Sequence, residues 1–478
     1  MAISQTSALG EIDPGASRSK HPALMFLGAS GTVTGSRFLV TGGADRLLVD
    51  AGLYQGVRDL RRLNWAPFPV RPADLDAVVL THAHLDHTGY LPRLVRDGFA
   101  GEALCTPGTA ALAAIVLRDS AHLQEEDARY ANEGGWSKHD PALPLYTGVD
   151  AERTLERLHP IAFGEPRSVG EMVVTLRRAG HILGSAVATV DVGDSRVVFS
   201  GDLGRPDHPI LRAPVPPPAA STLVLESTYG DRSHPAPDPD LFASAVRRTI
   251  DRGGVVLVPA FAVDRTELVL LELLRLRRAG EIPKVPIFVD SPMALDALDV
   301  YRAAAAAHSD ELKAKRSAPL RDLDQLDVHR VRDAAGSERL NRPKEPCIII
   351  SASGMATGGR IVHHLLRQLP DPRNSIVLTG FQAQGTRGRQ LAEGARTLKM
   401  HGRYVPVRAE VVALTDFSVH ADADELVAWV ASAPELPRTV YVVHGEPASS
   451  RALADRIQDE LGTVAVVPRL GERVLLSS

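Results

Sequence analysis

The sequence predicts an α/β protein in which one α/β unit is interrupted by a second. Three observations predict it. Short apolar runs bounded by Gly and Asp fill much of the first 230 residues. From about Asp231 strands alternate with helices, the mark of a parallel, helix-covered sheet. Metal-ligand residue types stand both before and after that alternating stretch, and an insertion lets both sets reach one site.

The first 20 residues are small and polar and read as a disordered arm. The runs ALMFLGASG, RFLVTGGADRLLVDAG and LDAVVLTHAH read as strands joined by tight turns. A helix begins near Tyr90, and another runs from about Thr109 through Arg129 on its Leu and Ile spacing. MVVTLRRAGH, AVATVDVG, SRVVFSGDLG and STLVLES follow as strands, the last after a proline-rich connector from Ala213 to Ala220. Then LFASAVRRTIDRGG reads as helix, GVVLVPAF as strand, DRTELVLLELLRLRRAG as helix and VPIFVD as strand. CIIISASG, another helix and SIVLTGFQAQG continue the alternation. The last stretch returns to short strands: AEVVALTDFS, RTVYVVHGE and TVAVVPRL.

Composition narrows the class. The chain has 478 residues, 44% hydrophobic and 23% charged, with a net charge of −4. Those values describe an ordinary globular protein with a large core. Cys105 and Cys347 form no CxxC pair, which argues against a disulfide framework and a thiolate zinc site. No N-terminal apolar segment and no run of roughly 20 apolar residues is present. A cytoplasmic location with no membrane partner is the expectation.

The strongest chemical signal is T-H-A-H-L-D-H, Thr81 to His87, directly after an apolar strand. On an extended segment, residues two apart project to one side, so His82 and His84 can share one ion. Asp86 and His87, a turn later, can reach a second. Imidazole with carboxylate is a zinc ligand mix. His181 in AGHILGS and Asp202 in FSGDLG both follow strands.

In this order these motifs resemble the metallo-β-lactamase fold superfamily. The resemblance implies an αββα sandwich with two zinc ions. His82, His84 and His181 would hold the first; Asp86, His87 and a late histidine the second; Asp202 would bridge them. Three further motifs are similar to those of the β-CASP ribonucleases: Glu226 in LVLESTYGDR, His420 in FSVHAD and His444 in VVHGE. So are SASGMATGGR and GFQAQGTRGRQL. The likeness runs from about residue 23 to the end. It implies domain bounds of 21–230 and 416–478 for the metallo-β-lactamase domain and 231–415 for an inserted β-CASP α/β domain. His444 would complete the second zinc site. It also favours RNA, because DNA-processing relatives typically carry Val there. A homodimer is a family-level expectation.

Ser353, Gly354, Arg360, Thr386 and Arg387 are expected to contact RNA phosphates, since glycine lets backbone N–H groups approach an anion and arginine pairs with it. From Arg339 through Arg408 there are twelve Lys and Arg against Glu345, Asp371 and Glu393, a local excess of nine positive charges. Such a basic lobe suits nucleic acid. Aromatic residues are only 5%, so contact is expected mainly at the backbone of single-stranded RNA.

The expected reaction is phosphodiester hydrolysis by a zinc-bound hydroxide, leaving a 5′-phosphate and a 3′-hydroxyl. Asp86, Glu226 and His420 are the expected catalytic residues, with His420 the general acid held by Glu226. Three other readings compete. A small-molecule ester or thioester hydrolase shares the His and Asp ligands, but it needs no such insertion and neither Glu226 nor His420. A DNA nuclease is disfavoured by His444. A non-catalytic subunit is disfavoured because every ligand position is filled.

Overall fold

The computed structural model describes residues 21–476 apart from 136, 237, 415 and 416, so the expected arm over residues 1–20 lies outside the described residues. The chain forms two compact units. The first comprises the chain up to His208, Arg212–Ser233 and His420 onward; the second comprises Pro209–Leu211 and His234–Val419.

The first unit holds two seven-stranded sheets. One runs in spatial order Arg473–Leu475, Ala23–Phe26, Phe38–Gly42, Asp45–Val49, Ala77–Val79, Glu102–Cys105, Leu158–Pro160. The other runs Val464–Val466, Thr439–Val443, Thr222–Glu226, Ser195–Phe199, Ala186–Val192, Met172–Arg178, Pro166–Val169. The central strands Ala77–Val79 and Thr222–Glu226 are buried at every residue and Ala186–Val192 at all but Asp191, which is why they read as apolar runs. Alternation then assigns each face. Leu47, Val49, Val197, Phe199 and Val224 point into the layer between the sheets. Leu48 and Val78 pack outward on Leu91, Leu94 and Ala121 of the helices Leu91–Arg96 and Pro107–Gly134. Val198, Leu223 and Leu225 pack outward on Leu426, Val430, Leu453 and Ile457 of the helices Ala423–Ala431 and Pro447–Leu461. The result is an αββα sandwich.

The second unit is built on a six-stranded sheet, in order Val328–Arg330, Ile287–Val289, Cys347–Ser351, Val255–Pro259, Ser375–Thr379, Glu410–Leu414. Every pairing in it is parallel, as the strand–helix alternation predicts. Glu410–Leu414 is an edge strand of this sheet rather than part of the closing strands its sequence position suggests; it pairs with Ser375–Thr379. A two-stranded hairpin, Thr397–Met400 with Arg403–Pro406, completes the unit.

Several strands of the first unit end in a chemically loaded residue. Asp50 follows Asp45–Val49, Asp202 follows Ser195–Phe199 and His444 follows Thr439–Val443, while Glu226 closes its own strand. His82 and His181 come three residues after Ala77–Val79 and Met172–Arg178. Loops at strand ends thus carry the chemistry while the sheets fix their positions.

Candidate active site

The short helix Leu85–Thr88 carries Asp86 and His87, and His84 is its N-cap residue. The segment Ala51–Leu53 clasps this loop: Ala51 N–H donates to His87 O at 2.8 Å and Leu53 N–H to Leu85 O at 2.9 Å. Gly52 is required there, since a Cβ would stand 1.6 Å from Asp86 O. Asp50 and His444 are held at φ 60° and 50°, a strained backbone for residues with side chains that is typical of functional positions.

The ligand atoms of His82, His84, His181 and Asp202 lie within 4.8 Å of one another, as do those of Asp86, His87 and His444. His82 Nε2 is 3.1 Å from His84 Nδ1, and His181 Nε2 is 3.3 Å from the same atom. His87 Nε2 is 3.3 Å from His444 Nε2, and His444 Nε2 is 3.5 Å from Asp86 Oδ2. Asp202 sits between the groups, with Oδ2 3.5 Å from His82 Nε2 and 3.6 Å from His181 Nε2, and Oδ1 3.2 Å from His87 Nε2. All seven sequence-predicted ligands therefore converge.

The donor set fits metal ions. A proton can be shared by two of the nitrogens of His82, His84 and His181, but not by all three at once; a tetrahedral cation accepts from three ring nitrogens together. Charge tells the same story. Burial drives His82 well below its ordinary value and His84 down to about 4, so both offer lone pairs at neutral pH. Burial also acts against charged His87 and His444. Asp202 with Asp50 outweighs it at His87, and Asp202 with Asp86 at His444, so both rings titrate above the ordinary range. Asp202 and Asp86 are pushed upward by burial, yet the imidazoles hold both below the ordinary carboxylate range. The site gathers positive charge where a divalent cation would supply it.

A second layer orients these rings. Asp50, 1% exposed, places Oδ2 2.7 Å from His87 Nδ1 while accepting from Thr81 N–H at 2.8 Å and Thr81 O–H at 2.9 Å. Thr228 Oγ1 lies 3.2 Å from His444 Nδ1, and Ser185 Oγ accepts from His181 N–H at 2.9 Å. Sequence reading missed this layer. Its one visible signal is the strand-terminal Asp of LLVDAG.

His420 Nδ1 stands 3.3 Å from both Glu226 carboxylate oxygens and 3.9 Å from Asp202 Oδ2. Its ring lies 4.4 Å from that of His181. Backbone bridging to Gly204 places His420, and the capping box of Asp422 with Glu425 anchors the helix behind it. Glu226 is buried and its carboxylate accepts from Leu203 N–H at 2.6 Å and Thr228 N–H at 3.3 Å.

The five residues expected at RNA phosphates lie in the second unit, on two facing loops and the first residues of the helices Arg360–Gln368 and Arg387–Ala392 that follow them. Gln382 reaches Gly354 O at 3.1 Å, and Gly388 N–H donates to Met355 O at 3.0 Å. Ser353 is half-buried and bonds Thr357 at 3.0 Å. Gly354 is needed because a Cβ would meet Phe261 at 2.6 Å. The structure gives the other three internal work. Arg360 donates to buried Asp290 at 2.7 Å and to the carbonyls of Arg332 and Val331. Thr386 is buried and its hydroxyl caps the helix Arg387–Ala392 by accepting from Arg389 N–H. Arg387 donates to the carbonyls of Thr357, Ala356 and Lys399. Sequence could not foresee these partners, which are brought together from distant segments.

Among the described residues no helix is long and apolar enough to cross a membrane. Three family models match the chain: the metallo-beta-lactamase superfamily over residues 31–247, the Beta-Casp domain over 266–391, and the Zn-dependent metallo-hydrolase RNA specificity domain over 404–468. Ribonuclease TTHA0252 of Thermus thermophilus is 36% identical over 449 residues, covering 94% of this chain and 98% of that protein. An RNase J-like protein of Methanocaldococcus jannaschii is 30% identical, over 89% of this chain and 93% of that protein. Transcription termination factor FttA of the same organism is 30% identical, over 91% of this chain and 68% of that protein.

Proposed function

Because this chain belongs to the metallo-β-lactamase-fold β-CASP ribonuclease family, a family of hydrolases, we propose that it is a zinc-dependent ribonuclease. It hydrolyses phosphodiester bonds of single-stranded RNA, as an endonuclease, leaving a 5′-phosphate and a 3′-hydroxyl. The observation that carries this reading is the Glu226–His420 pair at 3.3 Å beside the seven converging ligands. An ester hydrolase needs the ligands alone; cleavage of an RNA strand must also protonate a poor leaving oxygen.

His82, His84 and His181 would hold one zinc, Asp86, His87 and His444 the other, with Asp202 between. When bound, two zinc ions acidify a water to near neutrality and offset charge developing on the phosphate oxygens. The chain's own residues do the rest. Asp50 fixes the His87 proton on Nδ1, which turns Nε2 toward the ligand cluster. Glu226, immobilised by two backbone amides, accepts a hydrogen bond from His420 Nδ1–H, which keeps that proton and orients the ring. His420 Nε2–H then gives its proton to the leaving 3′-oxygen, leaving a neutral imidazole that is reprotonated from solvent. Phosphate contact falls to the loop around Ser353–Gly354, while Arg360, Thr386 and Arg387 shape it and the facing loop through Asp290, the helix cap and backbone carbonyls.

The test incubates zinc-loaded protein with labelled single-stranded RNA, matched DNA and a thioester. Cleavage of RNA alone, with ligatable 5′-phosphate ends, is expected. Thioester hydrolysis without RNA cleavage, or equal cutting of DNA, overturns the reading.

A further inference from the structure

The hairpin Thr397–Met400 and Arg403–Pro406 has two unlike faces. Leu398, Met400 and Val405 are buried in the core of the second unit with Leu365 and Leu369. The register pairs Lys399 with Tyr404 across the strands, one step from the buried Leu398–Val405 pair, so both point to the opposite face. Tyr404 is 73% exposed, the most exposed large hydrophobic side chain among the described residues. Lys399 Nζ lies 5.8 Å from its ring centroid.

The surroundings are cationic. Residues 394–409 carry Arg396, Lys399, Arg403 and Arg408, all exposed, and no Asp or Glu. None of the four makes a salt bridge among the described residues. At the turn, the exposed His401 ring lies 5.0 Å from that of exposed His363, inclined at 30°. Arg387 braces the hairpin, donating to Lys399 O as well as to Ala356 O and Thr357 O.

An exposed ring amid cations without salt-bridge partners among the described residues fits a polyanion that offers unpaired flat bases. A duplex hides its base faces, and a folded protein partner needs a wider apolar surface than one ring provides. We propose that this hairpin is an accessory anchor for single-stranded RNA, with Tyr404 stacking one base, Lys399 beside it on the same face neutralising a phosphate, and Arg403, exposed at the turn where it pairs with Met400, neutralising another as the strand rounds the hairpin end. The proposal rests on the ribonuclease reading only for the strand being RNA. The surface offers ring and charge rather than base-edge readout, so it holds the strand with little regard to sequence.

The experiment measures binding of a 2-aminopurine-labelled 12-nucleotide RNA, its DNA counterpart and a duplex to zinc-loaded H420A protein across a salt series. Base stacking of about 1–3 kcal/mol corresponds to about 5- to 150-fold in affinity. With its ring largely exposed, Tyr404→Ala should weaken RNA binding about 5- to 10-fold and relieve 2-aminopurine quenching, whereas Tyr404→Phe should stay within about twofold. Lys399→Gln with Arg403→Gln should lower the slope of log affinity against log salt by about 1.4, at roughly 0.7 per phosphate contact. In a wild-type background, Tyr404→Ala should leave hydrolysis of bis(p-nitrophenyl) phosphate, too small to span the hairpin, unchanged. RNA cleavage by wild type, with affinity, quenching and slope unaltered in these variants, overturns the anchor and leaves the ribonuclease reading standing. Tyr404-dependent binding of DNA alone, without RNA cleavage, overturns the ribonuclease reading and keeps the anchor for a different strand. Duplex binding with the same Tyr404 dependence overturns the anchor.

Discussion

Replacing Asp50 with Asn changes one atom of the site, and the consequence can be worked through. Oδ1 of Asp50 accepts from Thr81 N–H at 2.8 Å; Oδ2 serves both Thr81 O–H at 2.9 Å and His87 Nδ1 at 2.7 Å. Asn has one oxygen. If it stays on the Thr81 amide, its NH2 faces His87 Nδ1. Two donors cannot share that line, so the imidazole must move its proton to Nε2. That nitrogen points at Asp202 and His444 and is the one a metal would use. Binding must then displace the proton. Losing such an outer partner typically costs 10–100-fold in metal affinity, about 1.4–2.7 kcal/mol. Competition against a chromophoric chelator at pH 7.5 should show two zinc ions in wild type. In Asp50→Asn one should be loosened by that factor, while the other, on His82, His84 and His181, should change little. Affinities for both ions unchanged from wild type in the variant would refute the orienting role of Asp50. Absence of zinc from wild type, with none taken up on addition, would refute the metal assignment itself.

His420→Ala should retain its zinc but cleave RNA about 10²–10⁴-fold more slowly, and the deficit should shrink on a substrate whose leaving group needs no proton; a normal rate removes His420 as the acid. Arg360→Ala should cost about 1–3 kcal/mol in urea unfolding, because fully buried Asp290 loses a charged donor, without changing the salt slope of RNA binding; a changed slope with full stability would instead place Arg360 at a phosphate. Glu267 is fully buried, and burial together with nearby Asp264 pushes its carboxyl well above the ordinary range. The unfolded chain ionises this group near pH 4 while the folded chain resists, so its penalty on folding grows as pH rises above that point. Glu267→Gln should therefore gain stability over wild type between pH 4 and pH 8, and a gain that is flat or falls with pH contradicts the burial argument.

How much was legible in the sequence follows from what local sequence encodes. The run Thr81–His87 holds four ligand-type residues in seven positions, and their spacing implied that His82 and His84 can share one metal ion and Asp86 and His87 can reach a second. Apolar runs and strand–helix alternation likewise announced two α/β units, because periodicity is set by the faces each element must bury. The motif residues Asp202, Glu226 and His444 could be named because each stands at or just after a strand end in a recognisable string, and His420 because its string precedes a helix. Their functions as a set could not be derived locally: His87 and His444 are 357 positions apart yet 3.3 Å apart in space. Only the paired sheets, which bring distant strand ends together, decided that they meet.

Tertiary structure also decided which arginines remain available to a ligand. The sequence supplied the excess of positive charge from Arg339 to Arg408, but charge count is blind to partners. Arg360 is committed to Asp290, 70 positions earlier, and Arg387 to three carbonyls, whereas Lys399 and Tyr404 share the outward face of the hairpin and Arg403 is exposed at its turn. Asp50, an unremarked strand-terminal residue, became the orienting partner of His87 only because Asp45–Val49 and Ala77–Val79 lie side by side in parallel register. Residue type and short-range spacing fix what chemistry a chain can hold; long-range pairing fixes which of those groups touch, since a contact's free energy depends on neighbours that the chain reaches only by folding.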